Sequence, residues 1–339
     1  MNDATLGLLL LFVAGVMNAS FTVPMKFTHR WAWENTWLAW TIFALLILPP
    51  VVTWATVPGL QDVYKEIGYG LVLTAAAFGA GWGIAQVFFG LAVDAVGIAL
   101  TFSVVLGLSA AIGSLIPLLR LHPDRVFTRG GLGVIAGVAL VIVGVAVCAV
   151  AGGRREAALG AALGGERKSA VRGLAFCILS GLGAALVNFG LVFGAPLLRS
   201  ARDHGAAAVW APNAVWLPLM LAGAVPNLIY CIYLIRKNHT AGRYAEGGTA
   251  SHWLFALLMA VFWFGSTMIY GISTGKLGTW GTILGWPLFM SLIVITATVL
   301  GILTGEWKNT GRSPLRIQLG GVAVLVAAVF VLSAASRWV

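Results

Sequence analysis

The chain has 339 residues, of which 60% are hydrophobic and only 9% are charged. Soluble domains carry about 25% charged residues, so this composition excludes an ordinary soluble fold, and the long apolar runs exclude a barrel of short alternating strands. The net charge of +10 comes from basic residues between these runs, which indicates contact with anionic lipid headgroups rather than with nucleic acid.

Ten apolar runs are long enough to cross a membrane as helices, since a hydrocarbon core of about 30 Å takes roughly 20 residues. The first run follows Asp3 without the positively charged segment of a signal peptide, so we expect it to be a membrane span. The sequence therefore predicts an all-α membrane protein with ten transmembrane helices, at residues 5–27, 35–57, 69–92, 97–119, 131–151, 173–197, 208–235, 252–274, 279–304 and 317–336.

A basic, Gly/Ala-rich segment at residues 152–172 resembles a linker and divides the chain into two halves. Each half, residues 1–151 and 173–339, contains five predicted spans. The third span of each half carries the pattern W-x6-[FY]-G-x6-G, which begins at Trp82 and again at Trp263. We interpret this recurrence as an internal duplication.

The odd number of spans in each half has a topological consequence. A tandem copy of five spans must lie upside down relative to the first copy, so we predict two inverted five-helix repeats. Secondary transporters built in this way bind substrate between the repeats, near the bilayer midplane. Of the 21 Lys and Arg residues, 13 lie in the odd-numbered loops, which predicts that both chain termini lie outside the cytoplasm.

The third span provides the first candidate site. Trp82, Gln86 and Phe89 share one helix face. An aromatic stripe is often only core, but aromatic rings stack on the C–H face of a sugar and an amide bonds its hydroxyls. We therefore predict that these residues bind a sugar together with the repeat counterparts Trp263 and Tyr270. Three glycines of the same span, Gly79, Gly83 and Gly90, predict close packing against a neighbouring helix, and Gly97 continues their spacing at the start of the next span.

The first span ends in an irregular polar segment. Asn18 lies within the apolar run, and Pro24 removes a backbone donor and predicts a bend. Such breaks are tolerated at membrane depth where they face protein or a cavity. Lys26 follows two residues after Pro24 and either extends to the membrane surface or serves the site. Three further residues complete the predicted substrate-binding set: Asn188, Asn213 and Trp216.

Three carboxylates, Glu34, Asp94 and Glu306, lie near span ends, and none lies at the centre of a span. A proton-coupled transporter needs an ionisable group on its pathway, for which we predict Asp94 and Glu34. The chain has no nucleotide-binding loop, hydrolase motif or Cys/His metal spacing. We therefore expect neither an ATP-driven pump nor an enzyme, and neither a cofactor nor a metal site.

Three stretches resemble the L-rhamnose-proton symporter family of the drug/metabolite transporter superfamily: FTVPMKFTHRWAWENTW, FGAGWGIAQVFFGLAVDAVGIAL and GEWKNTGRSPLRIQLGGVAVL. The motifs W-x-W-E and G-E-W-K-N-x-G-R are the most specific, and the resemblance extends over nearly the whole chain. It implies a bacterial inner-membrane protein with two inverted five-helix halves that imports a monosaccharide with a proton. The implied partners are the sugar, protons and membrane lipids, with no nucleic acid.

Two departures from the family pattern affect the substrate. Gln86 and Phe89 stand where the resemblance implies asparagine and tyrosine, and Asp94 stands where it implies a basic residue. A related deoxy or acidic sugar is therefore an alternative to L-rhamnose. Two alternatives concern the function itself: an exporter of metabolites or drugs on the same scaffold, and a membrane enzyme acting on lipid-linked sugar. The enzyme would have only the three carboxylates, which show no motif-like spacing.

Overall fold

The computed structural model describes residues 3–160, 170–305, 307–308 and 311–338. Regular structure in these residues is entirely helical, and ten stretches are long and apolar enough to cross a membrane, which confirms the predicted all-α fold with ten spans. The helices are α1 (Asp3–Ser20), α2 (Trp33–Thr41), α3 (Leu48–Thr56), α4 (Leu60–Ile67), α5 (Tyr69–Val96), α6 (Ile98–Leu121), α7 (Arg129–Gly160), α8 (Ala170–Ala184), α9 (Leu186–Phe193), α10 (Ala195–Asp203), α11 (Asn213–Lys237), α12 (Ala250–Lys276), α13 (Gly281–Leu303) and α14 (Arg312–Ala335).

Two spans consist of more than one helix. A π-helical turn at Ile42–Ile47 joins α2 to α3, and the sixth span is divided into α8, α9 and α10. The first span changes to a 3₁₀ turn at Val23–Phe27, where Pro24 lacks the N–H that would continue α1. The predicted bend at Pro24 is therefore confirmed.

The predicted boundaries differ most around the seventh span and the predicted linker. The seventh span begins at Asn213 rather than at residue 208, because residues 208–212 form turns ahead of the helix. Residues 152–160 continue α7, and residues 170–172 begin α8. The rest of the predicted linker, residues 161–169, lies outside the described residues.

Glycines allow α5 to approach α11 closely. A Cβ atom added to Gly79 would lie 1.9 Å from the main-chain oxygen of Leu219, and one added to Gly83 would lie 2.3 Å from that of Gly223. These distances confirm the predicted packing role of both glycines. The prediction is wrong for Gly90, which has no atom within 4 Å of an added Cβ, and Gly97 ends α5 with a φ of 88°.

The principal contacts among the spanning helices are matched between the two halves of the chain. In the second half, α12 packs against α1 and α2, and α13 packs against α14 and α1. In the first half, α5 packs correspondingly against α8 and α11, and α6 packs against α7 and α8. Three contacts between the halves join spans that have the same position in each half: α6–α13, α7–α14 and α2–α11. Exchanging every span with the span five positions later therefore leaves this set of contacts unchanged.

Candidate functional site

A crevice of about 360 Å³ opens at one end of the bundle, where α1, α7 and α13 end and α6 and α14 begin. Its volume falls in the range of about 300–1,000 Å³ that is usual for small-molecule sites. Aliphatic side chains form much of its wall, and its polar lining residues are Thr22, Lys26, Ser103, Cys148, Arg155, Thr298, Thr304 and Gln318. The crevice therefore has the mixed surface that a small polar ligand with an apolar face requires.

Gln318 and Thr298 form a buried polar pair in the crevice wall, with 7% and 6% of their surfaces exposed. Gln318 Nε2 donates a hydrogen bond to Thr298 Oγ1 at 2.7 Å. The Thr298 hydroxyl donates to the main-chain oxygen of Val294, one helical turn earlier, at 2.9 Å. The first bond connects α14 to α13 beside the crevice, and the second lies within α13.

Two cationic side chains lie at the mouth of the crevice. Lys26 Nζ donates to Thr304 Oγ1 at 3.3 Å, across the gap between the first and ninth spans. The Arg155 guanidinium lies 5.4 Å from the ring centroid of Trp307, within the range of a cation–π contact. Positive charge is thus concentrated where a ligand would enter.

Of the predicted sugar-binding residues, Lys26 lines the crevice, Asn18 and Phe89 adjoin residues of its lining, and Gln86 lies one turn from Phe89. Phe89 makes an edge-on contact with the lining residue Phe102, with ring centroids 4.9 Å apart. Asn18 precedes the lining residue Ala19 and donates to Ser266 Oγ at 2.9 Å. Gln86, one turn before Phe89, is half-buried, and its amide makes no hydrogen bond with any residue that the structure describes.

Trp82 and Trp263, the paired tryptophans of the predicted repeat, stack on each other with ring centroids 5.3 Å apart and planes 21° apart. Both are buried, with 3% and 8% of their surfaces exposed. Trp40 adds an edge-on contact to Trp263 at 5.3 Å. In this conformation the facing surfaces of both indoles are occupied by protein, so neither of these two faces is open to a sugar.

Asn188 and Tyr270 meet in a fully buried cluster towards the opposite end of the bundle, where α6 and α12 end. Tyr270 Oη donates to Asn188 Oδ1 at 2.6 Å. Asn188 Nδ2 donates to the main-chain oxygens of Gly113, at 2.8 Å, and Thr282, at 3.2 Å. These four residues, which we name the Asn188 cluster, join the fourth, sixth, eighth and ninth spans.

The remaining predicted residues of the seventh span serve packing in this conformation. Asn213 Nδ2 donates to Thr56 Oγ1 at 2.9 Å, which joins α11 to α3. Trp216 is fully buried against Pro212 and Gly271, and its Nε1 has no hydrogen-bond partner among the described residues. Neither side chain is part of the crevice lining.

Of the two predicted proton-coupling residues, Glu34 has a described side chain. Glu34 is 5% exposed, and its Oε1 accepts hydrogen bonds from Asn238 Nδ2 and Thr240 Oγ1, both at 3.0 Å. This carboxylate therefore fixes the loop after α11 to the start of α2. Asp94 belongs to the last turn of α5, but its side chain lies outside the described part of the structure, as does Glu306.

Sequence reasoning missed Gln318 as a site candidate. Its signal was present, because an amide at position 318 stands at the start of an otherwise apolar run and within the third family-like stretch. An intramembrane amide is costly to bury unless it has partners, so position 318 carries the same sequence signal as Gln86.

Comparison with known proteins supplies the family. The family described as "L-rhamnose-proton symport protein (RhaT)" matches residues 1–336. Proteins named L-rhamnose-proton symporter from Mannheimia succiniciproducens and Pectobacterium atrosepticum are 28% and 27% identical to this chain, over 95% and 96% of each sequence. The protein of that name from Cronobacter sakazakii is 28% identical over 96% of each.

A solved structure described only as "Crystal structure of protein" aligns with a TM-score of 0.54 at 17% identity, covering 98% of both chains. At this identity the likeness shows a shared fold alone. The family match, in contrast, extends over nearly the whole sequence and agrees with the ten spans. The chain is therefore a multi-pass membrane protein and belongs to the L-rhamnose-proton symport protein family.

Proposed function

We propose that this protein imports L-rhamnose or a related deoxy sugar together with a proton across the bacterial inner membrane. The relatives named above carry this activity in their names and come from bacteria. The observation that carries the proposal is the crevice, a polar-lined space of ligand size that opens at one end of a ten-span bundle. Because the family is one of transporters, the prediction that the protein is not an enzyme is confirmed.

Alternating access is the mechanism that we propose, with the two halves as inverted repeats. The exchange symmetry of the helix contacts supports this arrangement, as does the stacking of Trp82 on Trp263. An inverted pair of bundles can present its central site to either side by rocking one half against the other. We extend the proposal to membership of the drug/metabolite transporter superfamily, on the basis of the same two-half design.

The two ends of the bundle differ in a way that fits one state of this cycle. One end contains the crevice, whereas towards the other end the Asn188 cluster connects four spans through buried hydrogen bonds. Two further bonds tie α6 to α13: Ser114 Oγ donates to the main-chain oxygen of Ile283 at 2.7 Å, and Trp286 Nε1 donates to that of Ser109 at 3.0 Å. We interpret the structure as open at the crevice end and closed at the opposite end.

The distribution of charge assigns a side to each end. In the sequence the odd-numbered loops carry 13 of the 21 Lys and Arg residues, and basic loops remain in the cytoplasm. The crevice opens where α1, α7 and α13 lead into these loops. We therefore propose that the crevice faces the cytoplasm and that the conformation is the inward-open one. Sugar released here would leave past Lys26 and Arg155.

The predicted binding residues divide into two groups under this proposal. We retain Gln86, Phe89, Asn18 and Lys26 as residues of the sugar path, since they line the crevice or lie near it. The stacked Trp82 and Trp263 would reach the sugar only through ring surfaces outside their mutual contact. The buried residues Asn188, Tyr270, Asn213 and Trp216 would reach it only in another conformation. These four buried residues are thus predicted to contact sugar in the occluded or outward-open state.

Uptake into proteoliposomes tests the function. With an inward proton gradient, we expect purified protein to accumulate labelled L-rhamnose above its equilibrium level, and a protonophore to abolish the accumulation. A panel of 6-deoxy, neutral and acidic hexoses, tested as competitors, identifies the preferred substrate. Gradient-driven loss of preloaded metabolites without uptake of any sugar would instead support the exporter.

Proton coupling requires a separate measurement, because a variant that has lost the proton site can still exchange sugar. We propose Asp94 and Glu34 as candidates and expect Asp94→Asn or Glu34→Gln to abolish accumulation while sugar counterflow continues at the wild-type rate. Glu34 also fixes the loop that contains Asn238, so its variant is first checked for unchanged thermal unfolding. Full gradient-driven accumulation by both variants would exclude both carboxylates.

A further inference from the structure

We propose that the side-chain carbonyl oxygen of Gln318 accepts a hydrogen bond from one hydroxyl of the transported sugar, and that Thr298 holds the amide in the orientation this requires. The proposal rests on the sugar-transport function given above. It adds one residue that binds the sugar and specifies that the sugar donates the hydrogen bond. Its starting point is a buried amide in the crevice wall with one of its two polar atoms already occupied.

The orientation of the Gln318 amide follows from the hydroxyl of Thr298. A hydroxyl has a single proton, and that of Thr298 is donated to the main-chain oxygen of Val294. Thr298 Oγ1 can therefore only accept a bond from Gln318, at the observed distance of 2.7 Å. The NH₂ group of the amide must lie on the Thr298 side, and its oxygen must lie on the other.

The oxygen left over by this arrangement needs a donor. Gln318 Oε1 accepts no hydrogen bond from any residue that the structure describes, although only 7% of the residue surface is exposed. Polar atoms at membrane depth are costly to leave unpaired. Because Gln318 lines the crevice, a ligand in the crevice can supply this donor.

The surrounding wall indicates the chemistry of that donor. The lining residues around the pair on α7 and α13 are largely small or aliphatic, among them Val145, Val294 and Ala297. A ligand here presents an O–H group to Gln318 and apolar C–H groups to the wall. A monosaccharide, and a deoxy sugar with its methyl group in particular, has both features, whereas a carboxylate would place an acceptor against an acceptor.

Equilibrium binding of L-rhamnose and its derivatives to the purified full-length protein tests the proposal. At each ring position the hydroxyl is replaced in turn by hydrogen, fluorine or a methoxy group, none of which can donate. In wild type we expect the three changes at one position each to raise Kd about tenfold, equivalent to 1.4 kcal/mol. Fluorine and methoxy retain acceptor character, so their parallel effect identifies the sugar as the donor.

The variants connect that position to Gln318. Gln318→Met, which has a similar shape, is expected to raise Kd for L-rhamnose about tenfold while leaving Kd for the deoxy analogue at that position unchanged, because the lost partner is the same in both. Unchanged binding of the analogue also shows that the variant is folded. Thr298→Val should weaken binding as well, since the amide can then turn over, and Thr298→Ser should restore it.

The outcomes separate the inference from the function on which it rests. If wild type binds L-rhamnose and Gln318→Met keeps the wild-type preference at every ring position, the role of Gln318 is refuted while transport stands. A fluorinated analogue that binds as well as the parent at the Gln318-dependent position would refute the donor/acceptor assignment. Failure of wild type to bind or transport any sugar of the panel would overturn both proposals.

Discussion

Removing the Tyr270 hydroxyl should shift the protein from the crevice-open state to the state open at the opposite end. Tyr270 Oη is 2.6 Å from Asn188 Oδ1, and both side chains are almost completely buried. Tyr270→Phe leaves the Asn188 oxygen buried without a donor, which costs about 1–3 kcal/mol. When the opposite end opens, water reaches that oxygen and the cost disappears.

The shift can be estimated from this difference. A change of about 1–3 kcal/mol alters the ratio of the two states about 5- to 150-fold. The crevice-lining Cys148 provides a native probe, because it is half-buried, whereas Cys177 and Cys231 are fully buried. Closing the crevice covers Cys148, so we expect Tyr270→Phe to slow the alkylation of this thiol. Mass spectrometry measures the fraction of Cys148 that remains unmodified over time.

Tyr64→Phe is the matched control for this experiment. Tyr64 Oη also donates to a partly buried acceptor, the main-chain oxygen of Ala214 at 2.8 Å, but it lies outside the Asn188 cluster. The control should lose comparable thermal stability with no change in the alkylation rate of Cys148. Equal alkylation rates in Tyr270→Phe and wild type would show that the cluster is static packing and would refute its role as a gate.

Three further predictions concern stability and access. Gly79→Ala would place a methyl group 1.9 Å from the main-chain oxygen of Leu219, so we expect a large fall in Tm or loss of monodisperse protein, whereas Gly90→Ala on the same helix should leave Tm unchanged. Burial raises the pKa of Tyr244 to about 12, whereas an unfolded tyrosine titrates near 10. The stability that the protonated Tyr244 contributes should therefore be complete below about pH 10 and lost as pH rises towards 12. Tyr244→Phe should remove this part of the fall in Tm at alkaline pH. L-rhamnose should protect Cys148 from alkylation in a saturable manner, and protection by no sugar of the panel would contradict sugar binding in the crevice.

The ten spans were predictable because each is a run of about 20 apolar residues, a property of local sequence. The bend at Pro24 was predictable for a similarly local reason, the missing N–H. The π-helical turn at Ile42–Ile47 was not predicted, although its signal is also local. It lies just before Pro49 and Pro50, where two adjacent rings disturb the regular bonding of the preceding turn.

The site was less predictable, because periodicity shows which residues share a helix face but not which neighbour that face meets. Trp82 was predicted to contact a sugar, and in this conformation it stacks on its own repeat counterpart instead. Gly90 follows the same spacing as Gly83 but faces open space. The crevice collects residues from five spans distant in sequence, so the pairing of Gln318 with Thr298 emerged only from the three-dimensional structure.

The position of the Trp82–Trp263 stack has a consequence for how the molecule could move. Each ring belongs to a different half of the chain, and the two lie nearly parallel, in contact over their faces. A rotation about an axis through such a pair preserves its contact area while the ends of the bundle swing in opposite directions. These two indoles are thus suited to act as the pivot of the rotation. Their stacking would then stabilise both orientations equally, and the free-energy difference between the orientations would come from contacts at the two ends of the bundle.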